Sequence, residues 1–389
     1  TFDVGKMLEE HGHEVQYFGL ENEKNTVGNR IGSYVTNMDF SQGIKANLNA
    51  PFRIIYSREA RKKIRAVLDD FQPDVVHLNN IQYHLTPSII LEINKWRKET
   101  KKECKIVYTT HDYQLVCPSH GMFDVDMKPC ERCLDGHYIH CLQTKCLKNS
   151  RAKSLLGTLD GYMWKYSKAY SYVDAYICCS YFLKSKLDTQ KRFRDKTIGL
   201  HNFKKEMPHL DNIQKKGYVL EFGHLSRDKG TDTLLEVAKK MPNTEFVFIG
   251  YGPSADKMKD IPNVKYLGFK TGEELYRIIA EAAISVCPSE WYENCPYSVM
   301  ESVLLGTPVV GSKMGGIPEL IESGKTGELF EAGNEEELMK AIKKVLQTQD
   351  VLERYTKNCS QVNYETTESY YVKLMKIYRG EKNVEQISS

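Results

Sequence analysis

One pattern constrains this chain more than any other: short apolar runs of strand length alternate with amphipathic stretches of helix length, twice over. In the first half PDVVHL (73–78), CKIVYTTHD (104–112) and residues 175–180 read as strands. Residues 57–70, Thr86–Thr100 and about 181–188 read as the helices between and after them. Such runs, separated by helical segments, are the grammar of a parallel sheet covered on both faces. Residues 200–217 break the rhythm, being polar, lysine-rich and without periodicity. The alternation then restarts, with strands expected at Tyr218–Phe222, Thr244–Gly250, Lys265–Leu267, Ile284–Pro288 and Pro308–Gly311. Helices are expected at Thr231–Lys240, Glu273–Ala282, Tyr297–Leu305, Glu335–Gln347, Val351–Val362 and Thr366–Tyr378. At 389 residues the chain is too long for one ordinary core. The expectation is two parallel α/β domains, residues 1–205 and 206–365, with a ligand cleft between the C-terminal ends of their sheets.

The beginning departs from that grammar. Phe2, Val4, Met7 and Leu8 share one face of a helix, Gly12 stops it, and His13–Leu20 reads as a strand. An α/β domain opens with a strand and a tight loop before its first helix. The reading is that this strand and loop are missing by truncation. A net charge of +3 gives no field that would argue for nucleic acid. Apolar runs such as 175–179 and 246–250 are far shorter than the ~20 residues of a membrane span. With no visible signal peptide, a cytoplasmic protein is expected.

Residues 289–310, SEWYENCPYSVMESVLLGTPVV, place Glu293 and Glu301 across the start of a helix. Pro296 suits its first turn and Asn294 a cap. Backbone N–H groups and the helix dipole there favour an anion such as a diphosphate. Carboxylates beside a bound phosphate would have to bind hydroxyls instead, which suggests a nucleotide-sugar. The plain alternative is a helix with two solvated glutamates. Three further features sit at strand–helix junctions. FGHLSRDKG (222–230) brings Arg227 and Lys229 to a strand end, where a phosphate would arrive. FIGYGP (248–253) ends a strand in Gly-x-Gly, and Gly315 and Gly316 would let backbone approach a ligand.

Taken in order, GHLSRDKG (223–230), GYGP (250–253), PSEWYENCPYSVMESVLLGTPVV (288–310) and GGIPELI (315–321) resemble the donor-binding half of retaining family-4 glycosyltransferases. The resemblance covers essentially the whole chain. It implies a GT-B fold, two Rossmann-like domains facing across a cleft, with residues 366–389 a helix crossing back to the first. It implies transfer of a sugar from a UDP- or GDP-sugar to a saccharide or lipid-linked acceptor in polysaccharide or glycoconjugate assembly. Glu293 would hold donor-sugar hydroxyls, helped by backbone around Asn294, Cys295, Pro296 and Tyr297, and Glu301 the ribose. Lys229 and Arg227 would neutralise the leaving diphosphate, beside Gly223, Gly250 and Gly252. Where the family has an arginine after the first glycine, this chain has His224. No cofactor is expected for catalysis, since protein cations would do the work of Mg²⁺. The alternatives are a nucleotide-sugar epimerase on the same fold and an inactive nucleotide-sugar-binding protein.

In the first half, His111 ends a strand, and the resemblance matches it to a histidine beside the reacting sugar. His77 ends the preceding strand and reads as structural; Asp112 would orient His111 or touch the acceptor. Five of the 11 cysteines lie in residues 117–146, with a Cys-x2-Cys pair. Without an export signal that spacing reads as metal before disulfide. Cys117, Cys130, Cys133 and Cys146 would close a tetrahedral zinc site, with Cys141 as substitute. The alternative is reduced free thiols. The HDYxLxCP opening of this insert is shared by some family members. After it, Lys148, Arg151, Lys153, Lys165 and Lys168 mix with Trp164, Tyr166 and Tyr170. With the basic stretch Arg58–Arg65 they suggest peripheral contact with an anionic membrane; the alternative is a packed helix with a solvated basic face.

Overall fold

The computed structural model describes residues 2–37, 50–204 and 207–381. Two all-parallel sheets carry the fold. The first runs β1 (Val75–Asn79), β2 (Lys105–Thr110), β3 (Ala175–Cys178) and β4 (Thr197–Gly199), in that spatial order. The second contains β5 (Val219–His224), β6 (Phe246–Tyr251), β7 (Val264–Tyr266), β8 (Ile284–Cys287), β9 (Val309–Ser312) and β10 (Gly327–Phe330). Its order is β10-β9-β8-β5-β6-β7. The chain leaves β5 toward β6 on one side and returns to β8 on the other. Strand order therefore reverses between β5 and β8, which opens a crevice at their C-terminal ends.

The strands are apolar throughout because helices cover both faces. Val219, Phe246, Phe248 and Ile284 are fully buried with Leu234, Val237 and Ala238 of the helix Thr231–Lys240. Ile106 and Tyr108 of β2 pack with Ile90, Ile93 and Trp96 from the helix Ser88–Thr100. That helix begins at Ser88 because Thr86 and Ser88 turn their hydroxyls toward each other at 2.7 Å beneath Ser57.

Some expectations need correction. His13–Leu20 joins neither sheet; its partner is the stretch 28–35, met by the Tyr17 N–H donating to the Gly28 carbonyl at 2.9 Å and at an isolated bridge between Leu20 and Val35. Strand propensity without a neighbouring strand to pair does not make a strand. The short strands β4 and β10 were not expected, since Thr-Ile-Gly and Gly-Glu-Leu-Phe are too short to show a period.

The helix Thr367–Arg379 opens with a capping box between Thr366 and Ser369. It buries Tyr370, Leu374 and Ile377 against Met7, Leu8, Val107, Ile177 and Phe203, all of the first half. His77 of β1 meets the Tyr378 hydroxyl at 2.7 Å through Nδ1 and the Thr109 hydroxyl at 2.6 Å through Nε2. Burial, with the nearby charge of His111, pushes its pKa down to about 3.

This fixes a sign. The unfolded chain takes up a proton at His77 near pH 6.5, and the folded chain does so only near about 3. Stability must fall as pH drops through that window, by up to about 1.4 kcal/mol per pH unit. Urea midpoints measured across it are expected to slope less in His77→Leu than in the parent chain. An unchanged slope would refute the assignment.

Candidate functional site

A cavity of about 310 Å³ lies at the crevice between β5 and β8. Gly223 and His224 from the end of β5, Lys229 from the following loop, and Pro288 and Ser289 after β8 line it. Glu293, Pro296, Ser298 and Glu301 close the other side. The topology places this cavity where ligands of open α/β sheets bind.

Both glutamates face it, and each is held by a lysine. Glu293 Oε1 accepts from Lys229 Nζ at 2.6 Å and from the Ser289 hydroxyl at 2.8 Å. Lys229 also sits 4.5 Å over the Trp291 ring. Glu301 Oε1 accepts from Lys204 Nζ, a residue of the segment read only as a linker. The two carboxylates are 12% and 14% exposed, so their charges are reachable but poorly hydrated. The helix Tyr297–Leu304 begins at Pro296 with no side-chain cap. Asn294 is therefore not its cap. Its amide crosses to the first half instead, donating to the His111 carbonyl at 2.8 Å.

The loop carrying Glu293 is fixed from behind. A side chain on Gly315, whose φ is 62°, would lie 1.9 Å from the Glu293 carbonyl oxygen. One on Gly316 would lie 1.8 Å from that of Asn294. The two glycines admit the backbone of the Glu293 loop at this point. Gly250 is similar, since its Cβ would meet the Gly223 carbonyl at 1.8 Å. Gly250 and Gly252 thus hold β6 against β5 and are not among the residues lining the cavity.

From the first half, His111 presents Nε2 to the Asn79 side-chain oxygen at 2.9 Å. Burial lowers its pKa. Asp112 does not orient it. The carboxylate accepts from the Gln114 N–H at 2.9 Å and faces His120 at 3.8 Å, and His120 meets the Tyr83 hydroxyl at 2.9 Å.

Other expected residues fall elsewhere. Arg227 is exposed and does not line the cavity. Cys295 is a core residue, its sulfur 3.8 Å from that of Met300. Tyr297 is half exposed, with Lys204 over its ring at 5.4 Å. Exposed Tyr251 touches both His224 and Phe269, giving an aromatic edge beside the cavity mouth that periodicity could not reveal.

The cysteines do not assemble as expected. Among the described residues no three Cys, His, Asp or Glu side chains stand where they could share a metal ion. Cys133 nevertheless lies near enough to Cys117, Cys146 and Cys130 for their charges to add to burial in raising its pKa, so the four expected ligands share one neighbourhood without their sulfurs converging on a common point. The sulfurs that meet are Cys141 and Cys146, 2.7 Å apart. Cys117 instead pairs with the Ser119 hydroxyl at 3.2 Å. Burial, with the charges of Cys117, Cys146 and Cys130, pushes Cys133 up to about 12, and it packs with Tyr138 and Cys141. The Asp-x-Asp triplet at Asp124–Asp126 is a turn, with Asp124 Oδ1 accepting from the N–H groups of Asp126 and Lys128.

Two parallel α/β sheets with a charged crevice at a switch point define a GT-B protein. The family model described as Glycosyltransferase Family 4 matches residues 1–202, and that described as Glycosyl transferases group 1 matches residues 202–362. The chain belongs to glycosyltransferase family 4. Among curated proteins it is 32% identical over 146 residues to the sulfoquinovosyl transferase SQD2 of Arabidopsis thaliana, covering 36% of this chain and 28% of that protein. It is 31% identical over 157 residues to the amylovoran biosynthesis glycosyltransferase AmsK of Erwinia amylovora, covering 36% and 39%. The match thus spans well under two thirds of either relative. Anabaena HepE, solved in complex with UDP and glucose, superposes with a TM-score of 0.63 at 15% identity over 97% of this chain and 95% of that one. That likeness establishes the fold.

One cavity residue escaped the sequence reading. Glu221 of β5 is buried, with Oε1 accepting from the Thr231 hydroxyl at 2.7 Å and Oε2 without a partner. Burial pushes its pKa up to about 8 against the Thr231 bond, and Asp232 adds to the rise. The folded chain keeps this proton where the unfolded chain has released it, so stability falls as pH rises from about 4.5 to about 8. Glu221→Gln is expected to remove most of that decline in thermal midpoints. A decline of the same size in the variant would show that other groups cause it.

Proposed function

We propose that this chain is a retaining glycosyltransferase taking its sugar from a UDP- or GDP-sugar. The observation that carries the reading is the cavity itself, with Lys229, Glu293 and Glu301 around one crevice at the switch point. A nucleotide diphosphate entering there meets Lys229 and the uncapped start of the helix Tyr297–Leu304. As the phosphate takes the lysine, Glu293 is released to accept sugar hydroxyls, and Glu301 can do the same for the ribose. The exposed Tyr251–Phe269 edge offers a surface for the base.

In the reaction, the bond between the anomeric carbon and the β-phosphate oxygen breaks as an acceptor hydroxyl attacks from the same face. The acceptor's proton passes to the departing β-phosphate oxygen, and the nucleoside diphosphate leaves with the bonding pair. His111, held by Asn79 and facing the Glu293 loop, lies on the acceptor side to position the sugar. Low pKa keeps its ring neutral near pH 7. Lys229 supplies the charge that the leaving group needs, a contribution of roughly 2–4 kcal/mol for one well-placed group. The acceptor is proposed to be a saccharide or lipid-linked saccharide in polysaccharide assembly, a reading supported by the role of AmsK in amylovoran biosynthesis.

Calorimetry with UDP, GDP and ADP tests this. One nucleotide should bind, and Lys229→Ala should weaken it by at least about tenfold. Glu293→Gln should bind nucleotide nearly as well, yet lose about 10²-fold or more in transfer. Failure of all three nucleotides to bind the parent chain would overturn the proposal. Nucleotide binding without transfer to any saccharide would favour a binding protein instead.

A further inference from the structure

The helix Arg151–Tyr166 wears its large apolar side chains outward. Its inner face is small or polar: Ser154 and Thr158 are buried with Trp164. A side chain on Gly157 would strike Leu147 at 2.4 Å, and one on Gly161 would meet Tyr138 at 2.8 Å. Leu155, Leu159 and Met163 repeat every four residues on the opposite face and are 45%, 51% and 37% exposed. Tyr166, 71% exposed, continues the stripe and stacks with Tyr162 at 6.1 Å. The Tyr162 hydroxyl in turn accepts from the N–H of exposed Ile139, which widens the patch. A core helix would show the reverse pattern.

The surroundings are basic. Residues 145–168 hold Lys145, Lys148, Arg151, Lys153, Lys165 and Lys168, and one acid, Asp160. Asp160 points away from the stripe, accepting from the Trp164 indole at 2.9 Å. The sequence had singled out this segment for its mixture of cations with Trp164, Tyr166 and Tyr170; of these aromatics Trp164 and Tyr170 are buried and Tyr166 is exposed. The stretch Arg58–Arg65 adds little, since Arg61 is engaged by Glu92, Lys63 by Glu59, and Arg65 by Asp69 and Glu99.

We propose that Leu155, Leu159, Met163 and Tyr166, with exposed Lys148, Arg151, Lys153 and Lys168 on the same segment, form a docking face for an anionic lipid bilayer. An apolar stripe with a basic rim seats at the boundary between headgroups and acyl chains. Among the described residues no helix is long and apolar enough to cross a membrane, so the contact is peripheral. Charge selects this occupant over a second copy of the chain, because two such faces would bring cations against cations. The inference rests on the proposed function for its purpose, delivery of a lipid-linked acceptor, but not for its physical basis.

Sedimentation with vesicles tests it. The parent chain should pellet with equal parts phosphatidylglycerol and phosphatidylcholine and stay in solution with phosphatidylcholine alone. The double variant Leu155→Ser, Leu159→Ser should partition about tenfold less, and Arg151→Gln, Lys153→Gln should lose the preference for anionic lipid. UDP or GDP affinity, measured on the same samples, reports that each variant is folded. Equal pelleting of parent and double variant would overturn the inference, as would a parent chain that stays in solution. So would a dimer abolished by the double variant in the absence of lipid binding. Loss of nucleotide binding in a parent chain that still pellets would overturn the donor reading and leave this one standing.

Discussion

The short loop between β8 and the helix Tyr297–Leu304 is the constraint on which the site depends. Gly315 and Gly316 press against its backbone from one side, and the Gly316 N–H donates to the Glu293 carbonyl at 2.8 Å. From the other side the Asn294 amide holds the His111 carbonyl, and the Tyr113 hydroxyl reaches toward the Glu293 carbonyl at 3.5 Å. A loop of polar backbone can be packed this tightly only if its carbonyls find donors. The donors come from both halves of the chain. The backbone that carries the cavity carboxylate and the backbone that carries His111 are thus tied together by one set of bonds.

A second tie lies close by. Glu319 accepts from the backbone N–H groups of Tyr181 and Phe182, at the start of the helix Tyr181–Leu187, and from His201 Nε2 at 2.7 Å. One carboxylate of the second half therefore meets two segments of the first. With the helix Thr367–Arg379 packed on β2 and β3, the two sheets are joined at the cleft and again by the chain's last helix. Phe182 and Tyr292 pack across the same boundary, with ring centroids 4.7 Å apart.

The alternation of apolar and amphipathic segments was enough to read two parallel sheets, since burial on both faces imprints continuous apolar runs. Glu293 and Lys229 were legible because they lie in loops that follow strand ends, and Glu301 because it sits in the first turns of the helix that follows, where short-range sequence decides position. Long-range partners were not legible. Nothing near Lys204 announces that it will meet Glu301, and nothing near Asn294 says that its amide will cross to His111. Spacing in sequence was enough to bring the cysteines into one neighbourhood but not to say where each sulfur points. Cys117 turned to Ser119, while Cys141 and Cys146, placed around a short helix, met each other. In the segment that follows, glycines let the small face of the helix pack inward and left its large apolar residues outside, which composition alone did not show.

The charge balance of the cavity ties binding to chemistry on the proposed reading. Partly buried carboxylates are costly without partners, and here Lys229 and Lys204 supply them. A diphosphate competes for the same lysines with greater charge. Its arrival would strip the cations from Glu293 and Glu301, leaving two carboxylates that need new donors. Sugar and ribose hydroxyls are the donors that such a ligand brings with it. A nucleotide without a sugar satisfies only one side of this exchange, because Glu293 loses its lysine and gains nothing. The full donor satisfies both. That difference favours the complete nucleotide-sugar over the spent nucleotide, and so favours release once the sugar has been transferred.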